Sequence, residues 1–255
     1  MTSCWRLSMC FKNSCFSLGI LLLSSCHMIK EDRSNCPCTL YLSLEGLPGP
    51  AEVQLVTDDG TVRASAMRDT VIALQVPRGQ VKLLASAGAS FGADEDLAIS
   101  PGFDCPPVHL YSAWVNTDFE ETEVAVSLRK HFCTLSLEMD SPPGLGEPFW
   151  TRVRGVVGGM DWDGTPLPGE FSCRLEECIP VRLPRQYPGN ELWLDIVTPG
   201  GIMRSFALGN YMESAGYNWL ETNLNDLTLT MHTSVTEILL SSNLWTESIS
   251  LEIDI

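Results

Sequence analysis

Histidine is scarce in this chain, with four in 255 residues. Basic residues are half as numerous as acidic ones, 16 against 32. No nucleophile elbow, HExxH pair or phosphate-cradling glycine loop is recognised. No catalytic residue is nominated, and the sequence is read as non-enzymatic, with no cofactor and no metal site. The shortage of positive charge argues against nucleic acid and against anionic lipid as electrostatic partners. Long apolar runs are missing too. The run Phe16–Leu23 is about half of what a membrane-spanning helix needs.

That short run has a meaning of its own. Arg6 and Lys12 precede it, and residues 1–25 hold no acidic side chain. Charge, length and the small residues that follow read as a signal peptide over 1–25. Leu23, Ser24 and Ser25 lead into Cys26. A branched apolar residue, two small residues and a cysteine form a bacterial lipobox. The thiol of Cys26 is therefore the expected lipid attachment point. Several acyl chains on one cysteine give stable anchoring where one would not. Residues 26–35 read as a lipidated tether.

Cysteine is present in number, ten in all. Cys4, Cys10 and Cys15 leave with the signal and Cys26 carries lipid. Cys36, Cys38, Cys105, Cys133, Cys173 and Cys178 remain. An even number in an exported chain allows disulfides, but sequence does not give their pairing. A hairpin could set Cys173 opposite Cys178, and Cys105 could meet Cys36 or Cys38. Alternation places Cys36 and Cys38 on the inward face with Leu40, Leu42 and Leu44. Cys133 reads as a buried small hydrophobe.

The rest reads as strands. Leu40–Leu44, Val124–Leu128, Leu135–Met139, Leu227–Met231 and Ile249–Ile255 alternate apolar and polar residues, the pattern of half-buried strands. Turn signals stand between strands: Asp58-Asp59-Gly60, Pro77-Arg78-Gly79, Pro142-Pro143-Gly144, Asp161-Trp162-Asp163-Gly164 and Pro199-Gly200-Gly201. The Asp161 segment resembles the start of a calcium loop, but lacks the later glutamate and reads as a tight turn. One short helix is expected near Asn210–Ala215, closed by Gly216. Arg129-Lys130-His131 interrupts two alternating runs. This divides the chain into an N-terminal β-sandwich over 36–130 and a C-terminal one over 131–255. The tryptophans read as core residues.

A resemblance adds to this. Cys26, Glu31-Asp32-Arg33 and Cys36-Pro37-Cys38-Thr39-Leu40-Tyr41-Leu42 resemble the start of the fimbrillin-associated anchor proteins of Bacteroidetes, the minor-fimbrium anchoring subunits of the type V pilus system. Leu128-Arg129-Lys130-His131-Phe132-Cys133-Thr134-Leu135 continues it. So do Leu208-Gly209-Asn210-Tyr211, Gly216-Tyr217-Asn218-Trp219 and Asn243-Leu244-Trp245. Asn218 stands where the family usually has Asp. The resemblance implies an all-β fold of two transthyretin-like antiparallel Greek-key sandwiches in tandem. It implies a lipoprotein of the outer membrane that holds the base of a fimbrium at the cell surface and limits or terminates its assembly. Its partners would be a fimbrillin and, through the lipid, the outer membrane. Lys30, Glu31 and Asp32 resemble the surface-export signal of Bacteroidetes lipoproteins.

Subunits of that system join by strand exchange, in which backbone hydrogen bonds supply affinity. Ile249, Leu251, Ile253 and Ile255 form an apolar row that could be donated in this way, or could close their own domain. Two other functions fit the same features: a fimbrial tip or accessory adhesin, and a carbohydrate-binding surface lipoprotein.

Overall fold

A computed structural model describes residues 36–90, 95–139, 149–233, 237–242 and 245–252; the side chains of Met203 and of residues 232–252 lie outside that description. In chain order the elements are β1 (Cys38–Leu44), β2 (Ala51–Thr57), β3 (Gly60–Ala66), β4 (Thr70–Val76), β5 (Gln80–Ala87), β6 (Leu97–Ala98), β7 (His109–Asn116), β8 (Glu121–Val126) and β9 (Arg129–Lys130). There follow β10 (Phe132–Met139), β11 (Trp150–Met160), β12 (Pro166–Leu175), β13 (Val181–Pro184), β14 (Trp193–Thr198), β15 (Gly201–Phe206), α1 (Leu208–Ser214), β16 (Leu227–Thr233), β17 (Glu237–Ser242) and β18 (Trp245–Glu252).

These strands make two β-sandwiches in tandem. In the first, the sheet β4-β1-β8 faces the sheet β3-β2-β5-β7-β9. In the second, β13-β10-β16-β17-β18 faces β12-β11-β14-β15, to which β6 adds. Alternation explains β1: Cys38, Leu40, Leu42 and Leu44 are fully buried while the residues between them are half-buried. Each of those leucines contributes about 2 kcal/mol of burial, so a charge at Leu42 would empty the centre of this core.

Most pairs are antiparallel, but each sandwich has one parallel pair, β1 with β8 and β10 with β16. A hairpin cannot make a parallel pair. The intervening strands cross to the facing sheet and return, which gives the crossed connectivity of the fold.

The strand β5 departs from simple alternation, since every residue after Gln80 is buried. Val81, Leu83, Ala85 and Ala87 enter the first core, whereas Leu84 enters the second. The outer face of this sheet is therefore covered by the second sandwich.

The expected helix forms as α1, displaced toward the N-terminus because Leu208, Gly209 and Met212 are its buried residues. Gly216 closes it at φ 90°, with its N–H bonded to Glu213 O and the Tyr217 N–H bonded to Met212 O. That is the paired-bond C-terminal motif for which glycine is suited. Four of the five expected turns fall between strands or at a strand start; Pro142-Pro143-Gly144 lies outside the described residues.

Candidate functional site

Cys26, the lipobox residues Leu23, Ser24 and Ser25, and Lys30, Glu31 and Asp32 lie outside the described residues. So do Ile253 and Ile255. Ile249 and Leu251 are in β18, where the register sets them opposite Leu240 and Ile238 of β17. Among the described residues, β18 is the last strand of its sheet and pairs with β17. The apolar C-terminal row thus begins on what is, among the described residues, an edge strand, the arrangement that favours pairing with another chain.

The six cysteines are free thiols. The bridge between Cys173 and Cys178 is not formed: Cys173 points into the core from β12, while Cys178 is exposed beyond the end of that strand. Nor does Cys105 meet Cys36 or Cys38. Cys105 is buried in the second core and Cys38 in the first. Cys36 is exposed, contrary to the alternation argument, because it lies ahead of β1. Cys133 is the buried small hydrophobe expected. Burial pushes the thiols of Cys105, Cys133 and Cys173 up to about 12, so they stay protonated.

The segment Asp161–Gly164 is a turn. The Gly164 N–H bonds to Asp161 O at 2.9 Å, the Asp161 N–H to Thr165 O at 2.9 Å, and Asp163 Oδ1 accepts from the Thr165 N–H at 2.8 Å. Among the described residues no group of three or more His, Cys, Asp or Glu could hold a metal ion.

One motif escaped the reading of the sequence. Gly88-Ala89-Ser90-Phe91-Gly92 has the G-x-S-x-G spacing of a nucleophile elbow. Its context is different from an elbow's. Ser90 Oγ donates to the Glu52 carboxylate at 2.7 Å, not to a histidine.

The structure gathers its polar groups at the junction of the sandwiches instead. Arg185, just beyond β13, donates to the carbonyls of Lys130, Trp219, Glu221 and Thr222 and to His131 Nδ1. One guanidinium thus ties the linker to the loop after α1. His131 is buried, and burial together with the Arg185 charge lowers its pKa to about 4. Its ring lies against Gly164, where a Cβ would come within 2.1 Å. Nearby, Trp162 packs under Lys82 of β5, with Nζ 4.0 Å from the ring centre, and meets Trp114 of β7 edge to face. Trp219 is core, as expected of tryptophan, but Trp114 is 64% exposed.

The landmarks of the resemblance have structural work here. Tyr217 stacks edge-on against Trp219 at 4.7 Å and donates to Asn225 O at 2.7 Å. Gly209 sits against Asn190, where a Cβ would come within 2.3 Å of Oδ1. Asn218 Oδ1 accepts from the Leu220 N–H at 3.0 Å, a bond that an aspartate would make equally well.

A second polar network holds the sheet β12-β11-β14-β15. The fully buried carboxylate of Asp195 in β14 accepts from Arg152 Nη2 at 2.7 Å, Arg154 Nε at 2.9 Å and Ser205 Oγ at 2.6 Å. Burial works against its charge, but these bonds outweigh it and hold the pKa below the usual carboxylate value.

Fold and geometry together define a class: a tandem β-sandwich protein whose polar clusters brace the structure. No family model matches the chain, and no curated protein sequence does. Solved structures do. The chain is similar to the fimbrial anchor protein Mfa2 from Porphyromonas gingivalis, at 14% identity, a TM-score of 0.58, and coverage of 82% of this chain and 98% of that one. It is similar to a candidate adhesin from Bacteroides ovatus, at 11% identity, TM-score 0.62, and coverage of 84% and 96%. A candidate polysaccharide-binding protein from Bacteroides thetaiotaomicron gives 14% identity, TM-score 0.60, and coverage of 85% and 98%. The chain has the fold of these proteins over nearly their whole length, as the resemblance implied.

Proposed function

We propose that this chain is a non-enzymatic, fimbria-associated lipoprotein of the cell surface that anchors the base of a fimbrium to the outer membrane and limits its assembly. The observation that carries this reading is the combination of two features. The described fold covers 98% of a fimbrial anchor protein, and a lipobox cysteine precedes its first strand in the sequence. In this reading Cys26 carries the lipid, Lys30, Glu31 and Asp32 direct surface export, and residues 36–130 and 131–255 are the two domains. A fimbrial structural subunit is the partner, and the edge position of β18 supports the C-terminal row as the donated strand.

The test is release. Cys26→Ser should shed fimbriae into the medium while the subunit still folds; fimbriae retained on cells carrying that variant would end the anchoring reading. Crosslinking on intact cells, followed by pull-down, should bring a fimbrial subunit with the protein. Deleting residues 246–255 should abolish that crosslink, and an unchanged crosslink would assign contact to another surface.

A carbohydrate-binding role fits less well. Trp114 is exposed, but its ring stands at 79° to that of Trp162 and does not form a flat stacking platform with it.

A further inference from the structure

Between β5 and β7 the chain does not turn back on itself. It leaves the first sandwich, runs along the second and then returns. Leu97 and Ala98 pair with Met160 and Gly159 of β11. The Ile99 N–H donates to Gly158 O at 2.7 Å, the Gly102 N–H to Ser172 O at 2.7 Å, and the Cys105 N–H to Arg182 O at 2.8 Å. Arg182 answers with Nε on Cys105 O at 2.7 Å and Nη2 on Asp104 Oδ2 at 2.8 Å. Ile99, Cys105 and Val108 are buried in the second core. The segment follows the first sandwich in sequence, but its contacts belong to the second.

Two glycines are shaped to this path. A Cβ on Gly159 would lie 2.3 Å from Leu97 O, and one on Gly88 would lie 2.0 Å from Pro107 O. Both neighbours are backbone atoms, so a side chain at either glycine would force the segment away.

We infer that residues 97–108 are a strap that makes the two sandwiches one cooperative unit, with neither opening alone. Sandwiches joined by a single linker move independently by default. Here the chain crosses between them before the strap, after it, and again from β9 to β10. Leu84 of β5 and Leu110 of β7 also belong to the second core, so the strands on either side of the strap share its packing. Residues Cys36–Ile255 accordingly form one compact unit. One consequence rests on the proposed anchoring: load passing from lipid to fimbrium meets no hinge at the junction.

The experiment is calorimetry on the mature chain with Cys26→Ser. It should give one transition, with the calorimetric enthalpy equal to the van't Hoff enthalpy. Two resolved transitions would overturn the strap while leaving the anchoring reading untouched. Gly159→Ala should lower the transition and raise proteolytic cleavage within 97–108 at least tenfold; wild-type values for both would also overturn it. If that variant does not fold, hydrogen exchange in the unchanged protein decides. The amides of Ile99, Gly102 and Cys105 should exchange as slowly as those of Leu42 and Leu135, and exchange faster by a hundredfold or more would refute the strap.

Discussion

Arg185 Nε donates to His131 Nδ1 across 3.3 Å, and this contact needs an unprotonated Nδ1. A nitrogen that accepts from a guanidinium carries no proton, so the bond requires a neutral ring. Protonation would put two cations face to face inside the junction. Burial and the Arg185 charge together hold the His131 pKa near 4, against 6.5 for a free histidine.

Stability should therefore fall with pH between about 6.5 and 4. In that window the unfolded chain binds a proton that the folded chain refuses, so acid favours unfolding, by on the order of 3 kcal/mol at the lower limit. His109, whose pKa is also lowered by burial, adds to the same slope. Asp195 and Asp226 titrate lower and contribute only in stronger acid. Urea midpoints measured across the window should slope for the wild type and be flatter for His131→Gln. Parallel slopes would show that His131 is not the sensor.

Gly164 holds a left-handed φ of 83°, and a Cβ there would strike the His131 ring. Gly164→Ala should cost about 2 kcal/mol or more, read as a lower denaturant midpoint with an unchanged slope. Gly60 also has a positive φ, but nothing lies within 4 Å of where its Cβ would stand, so the same change there should cost only the backbone strain. Equal losses at the two sites would remove the ring contact as the cause.

Asp195→Asn should destabilise the folded protein by about 2 to 3 kcal/mol. The carboxylate is fully buried, whereas Arg152 and Arg154 keep 35% and 39% exposure and can turn partly to water. That exposure places the loss toward the low end for a broken buried pair. Chemical denaturation at neutral pH measures it, and a loss under about 0.5 kcal/mol would contradict the network's role.

Thiol alkylation of the folded mature chain, without residues 1–25 and carrying Cys26→Ser, should modify Cys36 and Cys178 alone. Both are exposed; Cys38, Cys105, Cys133 and Cys173 are buried, and the last three have thiols held protonated. Denatured protein should take up label at all six. Fewer than six additions without reductant would reveal a disulfide.

Legibility in the sequence follows the range of the interaction. The strands β1, β10 and β16 are plain because alternation needs only near neighbours, and their inward residues are buried more deeply than those between them. The turn at Asp161–Gly164 and the cap at Gly216 are plain for the same reason. The strap is not. Residues 97–108 carry no period, and their partners at Gly158, Ser172 and Arg182 lie far along the chain. Alternation misplaces Cys36 because it does not hold ahead of the start of β1, and the hairpin expected to set Cys178 opposite Cys173 is not there because Cys178 lies beyond the end of β12.

Local patterns suffice for the all-β class, and the proposed roles of Cys26 and of Lys30, Glu31 and Asp32 rest on local patterns alone, because each is read one segment at a time. Tertiary packing decides that the six described cysteines are free, that Arg185 and His131 brace the junction, and that residues 97–108 lie along the second sandwich. Those outcomes depend on which distant residues meet once both sheets pack, and chain order does not encode that distance.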